Sequence, residues 1–112
     1  MVKQILTAAG FVENETFRET RFLTPPSGTY AIYNDSVRRR GADNLNLLTE
    51  HDITIEVYEY APDPGAETKI ETQLETIGIE YDKAERYWIN EEQLYQVIYS
   101  FSYLIKEVKE HD

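Results

Sequence analysis

The segment over residues 94–105 constrains the fold more strongly than any other part of the sequence. Aromatic and β-branched side chains recur there at every second position, and this period of two is typical of a β-strand. One set comprises Tyr95, Val97, Tyr99, Phe101, Tyr103 and Ile105, and the other comprises Gln96, Ile98, Ser100, Ser102 and Leu104. The sequence therefore predicts a long strand over these residues.

Hydrophobic spacing and turn residues divide the rest of the chain into short elements. Apolar residues at helical spacing predict a helix over residues 2–9 that ends at Gly10. A Pro-Pro pair and Gly28 separate an edge-like strand from a central one. The predicted strands cover residues 17–23, 29–37, 51–60, 79–81, 86–89 and 94–105, with a polar turn over 82–84.

The second helix has the clearest start and stop signals. Asp63 is placed to cap its N-terminus, Pro64 occupies the first helical position, and Gly78 closes it. The predicted buried stripe is Ala66, Ile70, Leu74 and Ile77, and the predicted solvent face is Glu67, Glu71 and Glu75.

This order of elements, α-β-β-β-α-β-β-β, predicts an α+β fold. We expect a single, mostly antiparallel sheet with two helices packed on one face. The length of 112 residues fits one domain, with a charged tail over residues 107–112 that frays.

Composition excludes several classes of function. The chain has 11 basic and 21 acidic residues and no cysteine. It therefore lacks the basic surface that grips a nucleic-acid backbone, and it can form neither disulfides nor thiolate metal sites. No apolar run approaches the length of about 20 residues that spans a membrane. We expect an acidic, soluble, intracellular domain without membrane contact.

The sequence offers no catalytic or cofactor-binding pattern. His51 and His111 are the only histidines. The acidic neighbours of His51, Glu50 and Asp52, would point to the opposite face of a strand from the imidazole, which argues against a catalytic triad. Asp35, Asp43 and Asp63 fall in predicted turns, where capping explains them better than metal binding. We expect no enzyme activity, no metal or other cofactor, and no small-molecule substrate. Because any two carboxylates can meet in space in so acidic a chain, a carboxylate-based hydrolase is a minor alternative.

Two groups of residues are candidates for an interface. Arg38, Arg39 and Arg40 form the one basic cluster, closed by turn-forming residues that include Asp43. It is either a solvated strand end or a loop that docks onto carboxylates of another protein. Tyrosines along a sheet face form either core or a subunit contact, and Tyr95, Tyr99 and Tyr103 are the candidates.

The order and spacing of several motifs resemble a known family. These motifs are Phe22-Leu23-Thr24-Pro25-Pro26, Tyr30-Ala31-Ile32-Tyr33, Arg40-Gly41-Ala42-Asp43-Asn44, Ile53-Thr54-Ile55-Glu56-Val57-Tyr58, Gly78-Ile79 and the run from Glu92 to Tyr103. Together they resemble small tail-completion proteins, of the tail-terminator type, of Gram-positive long-tailed phages and prophages. The resemblance extends over about residues 6–106.

The resemblance implies a role in virion assembly. Such proteins form a ring, commonly of about six copies, that caps the tail tube and joins it to the head. The implied partners are further copies of the chain, the major tail protein and a head-completion or connector protein, in the virion and, during assembly, in the host cytoplasm. Specific nucleic-acid binding is not implied, although the ring lines a DNA conduit. A neighbouring connector protein and an acidic inhibitor of a basic partner remain alternatives.

Overall fold

The structure is a computed structural model that describes residues 1–41 and 46–108. Within these ranges the chain forms two helices and six strands, in the predicted order α-β-β-β-α-β-β-β. They are α1 (Val2–Ala8), β1 (Phe17–Glu19), β2 (Tyr30–Gly41), β3 (Asn46–Glu59), α2 (Pro64–Thr76), β4 (Asp82–Lys83), β5 (Tyr87–Ile89) and β6 (Leu94–Val108).

The strands form one sheet with the order β1-β2-β3-β6-β4, and β5 also pairs with β6. β1 runs parallel to β2, and every other pairing among the described strands is antiparallel. In the centre of the sheet, Tyr33, Ile55 and Tyr99 lie side by side on three neighbouring strands. The mostly antiparallel α+β fold predicted from the sequence is confirmed.

Both helices pack on one face of this sheet, as predicted. Alternate residues of the three long strands turn toward the helices and are buried with their apolar faces. α1 contributes Val2, Ile5 and Leu6, α2 contributes Ile70 and Leu74, and the sheet contributes Ala31, Tyr33, Ile53, Ile55, Val57, Val97, Tyr99 and Phe101. The period of two in residues 94–105 thus does separate a core face from an open face.

Glycine ends both helices in the same way. Gly10 and Gly78 have φ angles of 96° and 75°, in the left-handed region that glycine adopts without steric cost. After each glycine the chain bonds back to the last turn, from Phe11 N to Leu6 O and from Ile79 N to Leu74 O, both at 3.0 Å. Both helix ends predicted from the glycines are confirmed.

Several strand boundaries differ from the prediction. β1 ends at Glu19, and residues 79–81 are not a strand. Instead β4 occupies part of the predicted polar turn, because Asp82 and Lys83 pair with β6 and Lys83 is held by the carboxylates of α2. β6 includes Glu107 and Val108 from the predicted frayed tail, and residues 109–112 lie outside the described residues.

Three strands continue past the part of the sheet that the helices cover. β1 pairs with β2 only as far as Tyr33, and β4 pairs with β6 at Tyr99 and Ser100. Beyond these points only β2, β3 and β6 pair with one another among the described strands. We call this projection, residues 34–41, 46–52 and 102–108, the arm; with it the molecule measures 55 × 29 × 22 Å.

In the described part of the chain, neither helix has the length and apolar character needed to cross a lipid bilayer.

Candidate functional site

The open face of the arm carries a ladder of charges across its three strands. Nη2 of Arg38 lies 2.7 Å from Oε2 of Glu50 and 3.0 Å from Oδ2 of Asp52. On the other side, Ser102 donates a hydrogen bond of 2.6 Å to Oδ1 of Asp52. The hydrogen bond to Asp52 and the charge of Glu50 raise the pKa of Arg38. This arginine therefore stabilises strand pairing within its own chain.

The arginine cluster, for which the sequence left open a strand end or a docking loop, lies in the last part of a strand. Arg38, Arg39 and Arg40 belong to β2 and pair with Glu50, Thr49 and Leu48 of β3. The hairpin extends this far because Arg38 faces acidic residues across the strands, which favours pairing. Arg39 is exposed on the opposite face from Arg38. The predicted partner residue Asp43 lies outside the described residues.

The other face of the arm is held by a histidine. Nδ1 of His51 lies 2.9 Å from Oδ1 of Asp35, and its ring stacks on Tyr103 with centroids 4.7 Å apart and an interplanar angle of 1°. His51 is thus in the middle of β3 and not at a strand start, and Asp35 is within β2 and not in a turn. These contacts link β2, β3 and β6 through side chains on the helix-facing side of the arm.

The three candidate interface tyrosines have different environments. Tyr99 is fully buried, and its hydroxyl donates a hydrogen bond of 2.6 Å to Oε2 of Glu71, so this residue belongs to the core. Burial and the carboxylate of Glu71 raise its pKa. Tyr95 is half-buried against Trp88, with ring centroids 4.8 Å apart, and Tyr103 is half-buried against His51. Of these three tyrosines, only Tyr95 and Tyr103 have solvent-exposed surface that is accessible to a partner.

A buried charge cluster lies where β3, α2 and the β4–β5 segment meet. Arg86 bridges two carboxylates, with Nε 3.2 Å from Oε1 of Glu59 and Nη2 2.6 Å from Oε2 of Glu67. Lys83 lies 3.0 Å from Glu67 and 2.7 Å from Glu71. Glu59 and Glu67 are buried, and the cluster fastens the helix layer to the sheet.

Below about pH 7 the two buried carboxyl groups hold one proton between them. Burial, together with the hydrogen bond and negative charge of Glu67, raises the pKa of Glu59 to about 7. Burial also acts to raise the pKa of Glu67, but hydrogen bonds from Glu59, Arg86 and Lys83 outweigh it and lower the value to about 2. If both groups were ionised, Oε2 of Glu59 would be buried with no hydrogen-bond partner among the described residues. A protonated Glu59 removes this defect by donating to Glu67.

This cluster was not predicted from the sequence, although two signals for it were present. Glu59 continues the alternation of Ile53, Ile55 and Val57 on the buried face of β3. Glu67 lies three and seven residues before Ile70 and Leu74, which is the spacing of the buried face of α2. Glu67 was predicted to face solvent and is buried, whereas Ile77, predicted to be buried, is exposed. Ionisable side chains on a buried face indicate an internal ion pair.

The described residues do not assemble a metal site: no group of three or more His, Asp or Glu side chains within residues 1–41 and 46–108 is arranged to hold an ion. The imidazole of His51 is bound to Asp35 and packed on Tyr103.

Comparisons with known proteins identify a shared fold. A scan of the sequence against protein-family models finds no match, and a search of curated proteins finds no significant relative. The structure is similar to a chain in the solved structure described as the virion of a native gene transfer agent (GTA) particle, with a TM-score of 0.63 and 15% sequence identity. The likeness covers 95% of this chain and 92% of that chain, so the two share a fold over almost their full lengths.

Proposed function

We propose that this chain is a non-enzymatic virion assembly protein of the tail-terminator or tail-completion type. It forms a ring that caps the tail tube and joins it to the head. Its partners are further copies of itself, the major tail protein and a head-completion or connector protein. It acts in the virion and, before that, in the cytoplasm of the bacterial host.

The observation that carries the proposal is the full-length likeness to a chain of a virion. The likeness covers 95% of this chain and 92% of the other, so it is a likeness of the whole described fold and not of one shared motif. The sequence resemblance to tail-completion proteins points to the same kind of particle. Fold alone does not specify function, so the choice among virion components rests on the sequence resemblance and on charge.

The charge of the chain suits a ring around a DNA conduit. A formal charge of −10 per copy repels phosphate, so DNA passes without being held. The same charge makes copies of the chain repel one another unless a basic surface meets an acidic one. The basic surface is supplied by one strand of the arm, since segment 34–41 contains three arginines and one aspartate. Arg39 is exposed on the face opposite to the one on which Arg38 binds Glu50 and Asp52, so its guanidinium is available to a partner.

The mass of the purified protein in solution tests the proposal. We expect light scattering over a concentration series to give a closed oligomer of about six copies, either for the protein alone or after addition of the major tail protein. A protein that stays monomeric in both experiments, and does not cap or bind tail tubes, would contradict the terminator role. A tight one-to-one complex with a basic partner and no self-assembly would instead support the inhibitor alternative.

Charge reversal tests the basic strand within the same assay. The variant Arg39→Glu leaves the in-chain contacts of Arg38 intact, and we expect it to block ring formation or tube capping. Adding Arg38→Glu and Arg40→Glu should have at least the same effect. The matched control reverses Arg18, Arg21 and Lys69, which are exposed on the body of the molecule and change the net charge by the same amount as the triple variant. Equal assembly of both triple variants would argue against the basic strand as a docking surface.

A further inference from the structure

Within residues 1–41 and 46–108, both outer strands of the arm have an edge that pairs with no further strand. The outer side of β2 is paired with β1 only over residues 31–33, and the outer side of β6 is paired with β5 and β4 only over residues 94–100. Among the described strands none continues this pairing along residues 34–41 or 102–108. The arm thus has two free edges, one on each side of β3, of nearly equal length.

The hydrogen bonds near the base of the arm show which backbone groups point outward. Ala31 N donates to Thr16 O, and Tyr33 O accepts from Thr20 N, so the odd residues of β2 face away from β3. Ile98 O accepts from Ala84 N, so the even residues of β6 face away from β3. Continuing the alternation along the arm, the outward N–H and C=O groups belong to Asp35, Val37 and Arg39 on one edge and to Ser102, Leu104 and Lys106 on the other.

Apolar side chains accompany both edges. Val37 is 47% exposed, Leu104 is 58% exposed and Ile105 is 42% exposed. An exposed edge strand with apolar side chains is a template for a further strand, and isolated proteins normally shorten or cover such edges. Neither edge of the arm contains proline, which would remove an outward donor.

The direction of the strands favours contact between unlike edges. β2 and β6 are both antiparallel to β3, so they run in the same direction on opposite sides of it. Rotating a copy about an axis roughly along the arm places its β2 parallel to β6 of the first copy, and each added copy repeats the same contact. Pairing of β2 with β2 would instead bring the arginine-rich strands of two copies together, which is unfavourable.

The uneven distribution of charge along the chain favours a second copy of the chain as the partner. Segment 34–41 is basic, whereas the rest of the chain has 8 basic and 20 acidic residues. The edge of β2 is therefore attracted by the body of another copy, and most other contacts between copies are repulsive. The groove beside β6, where β4 ends, has a volume of about 690 Å³ and includes Asp52, Glu80 and Asp82 in its lining.

We propose that the free edge of β2, residues 34–41, pairs in parallel with the free edge of β6, residues 102–108, of a second copy of this chain. This inference rests on the proposed function in one respect, since repetition of this contact builds the ring. The edge pairing joins the sheets of neighbouring copies into one continuous sheet, and Val37, Leu104 and Ile105 are buried at the junction.

Cross-linking of two different single-cysteine variants tests this pairing, because the native chain has no cysteine. Val37→Cys is mixed with Ile105→Cys, and Arg39→Cys is mixed with Ile105→Cys to sample a second register. Both positions of each pair lie on the helix-facing side of the sheet. Each variant holds one cysteine, so a disulfide forms only between two copies of the chain. The matched control mixes Thr72→Cys, exposed on α2, with Ile105→Cys.

We expect a covalent dimer in at least one mixture of edge variants, at least tenfold more abundant than in the control mixture or in any variant alone. A variant that cross-links mainly with itself would overturn the proposal in favour of pairing between like edges. A closed oligomer without any edge cross-link would overturn the proposed edge pairing but would agree with the proposed ring. Edge cross-links in an open assembly that never closes or caps tubes would support the pairing and contradict the terminator role.

A proline variant provides a second, independent test. Leu104→Pro removes an outward N–H and leaves the bonds of β6 to β3 in place. We expect it to remain folded by circular dichroism and to lose self-association, whereas Leu104→Val, which keeps the donor, associates like the native chain. Undiminished association of a folded Leu104→Pro protein would overturn the proposal.

Discussion

Glu59 of β3 and Glu67 of α2 lie together in the core, joined by the guanidinium of Arg86, which is 3.2 Å from one carboxylate and 2.6 Å from the other. Two carboxyl groups in such a site cannot both be ionised without a large electrostatic cost. One proton therefore belongs to the pair in the folded state. This arrangement links the stability of the fold to pH and to the single arginine.

Replacing Glu59 by Gln should remove one pH dependence of stability. The pKa of Glu59 is raised from 4.5 to about 7, so its contribution to stability is present below pH 4.5 and is lost as pH rises through 7. We expect Glu59→Gln to be more stable than the native chain at pH 8, by on the order of 1–3 kcal/mol, and similar to it at pH 4.5. Urea unfolding at several pH values measures this difference, with Glu85→Gln, an exposed residue nearby, as the control.

The lowered pKa of Glu67 has the opposite effect on the pH dependence of stability. Its contribution is present above pH 4.5 and is lost as pH falls toward 2. The loss of stability on the acid side should therefore persist in Glu59→Gln. A variant whose stability keeps falling between pH 5 and 8 as steeply as that of the native protein would show that Glu59 does not hold the proton.

Replacing Arg86 by Met should destabilise the fold strongly. The change leaves Glu67 with only Lys83 as a cationic partner and Glu59 with none, and an unpaired buried charge is costly. We expect a loss of about 2–3 kcal/mol, somewhat below the cost for a fully buried pair because one third of the Arg86 side chain is exposed. Arg18→Met, on the exposed strand β1, should change the unfolding free energy by less than about 0.5 kcal/mol. The double variant Arg86→Met/Glu59→Gln should recover part of the loss.

Replacing Tyr99 by Phe should lower stability without affecting self-association. The ring remains in the core, but the hydrogen bond of 2.6 Å to Glu71 is lost, and a bond to a charged acceptor contributes about 1.5–3 kcal/mol. Tyr95→Phe, half-buried at the surface, is the control and should unfold at nearly the same urea concentration as the native chain. If Tyr99→Phe weakened association at full stability, Tyr99 would have an interface role that its burial does not indicate.

Replacing Asp63 by Ala should loosen the start of α2. Oδ1 accepts a hydrogen bond of 3.2 Å from Ala66 N, and Oδ2 accepts one of 2.7 Å from the hydroxyl of Thr29. Loss of the cap costs about 1–2 kcal/mol. Thermal unfolding should show this loss for Asp63→Ala and about half of it or less for Thr29→Val, which removes only the second bond. Asp82→Ala, exposed on β4, is the control.

Sequence patterns predicted those elements that depend on local signals. The alternation in residues 94–105, the cap at Asp63 and the glycines at both helix ends specify structure through neighbouring residues, and each is confirmed. Strand ends were predicted less well, because they depend on partners that are distant in the chain. β2 extends through the arginines since Arg38 meets Glu50 of β3, and β4 forms where β6 offers an edge.

The same distinction applies to the candidate site. The arginines and one of the tyrosines, Tyr103, lie on the arm, but their faces follow from the register of β2, β3 and β6, which spacing alone does not give. The buried cluster was missed because its charges come from three separate elements and are acceptable in the core only in combination. Acidic residues on helices were assigned to solvent by their type, and Glu67 shows that the packing of its neighbours decides.

The pairing of β3 with β6 has a consequence for the order of folding. β3 covers residues 46–59 and its partner covers residues 94–108, so the central ladder closes a loop across nearly half of the sequence. Contacts of such high sequence separation form slowly, since loop closure opposes them. Val97, Tyr99 and Phe101 reach the core only with β6, the last of the described strands to be synthesised. The edge of the arm on β6 therefore comes into existence only after synthesis has passed this strand, and until then a nascent chain lacks one of the two edges that the proposed pairing between copies joins.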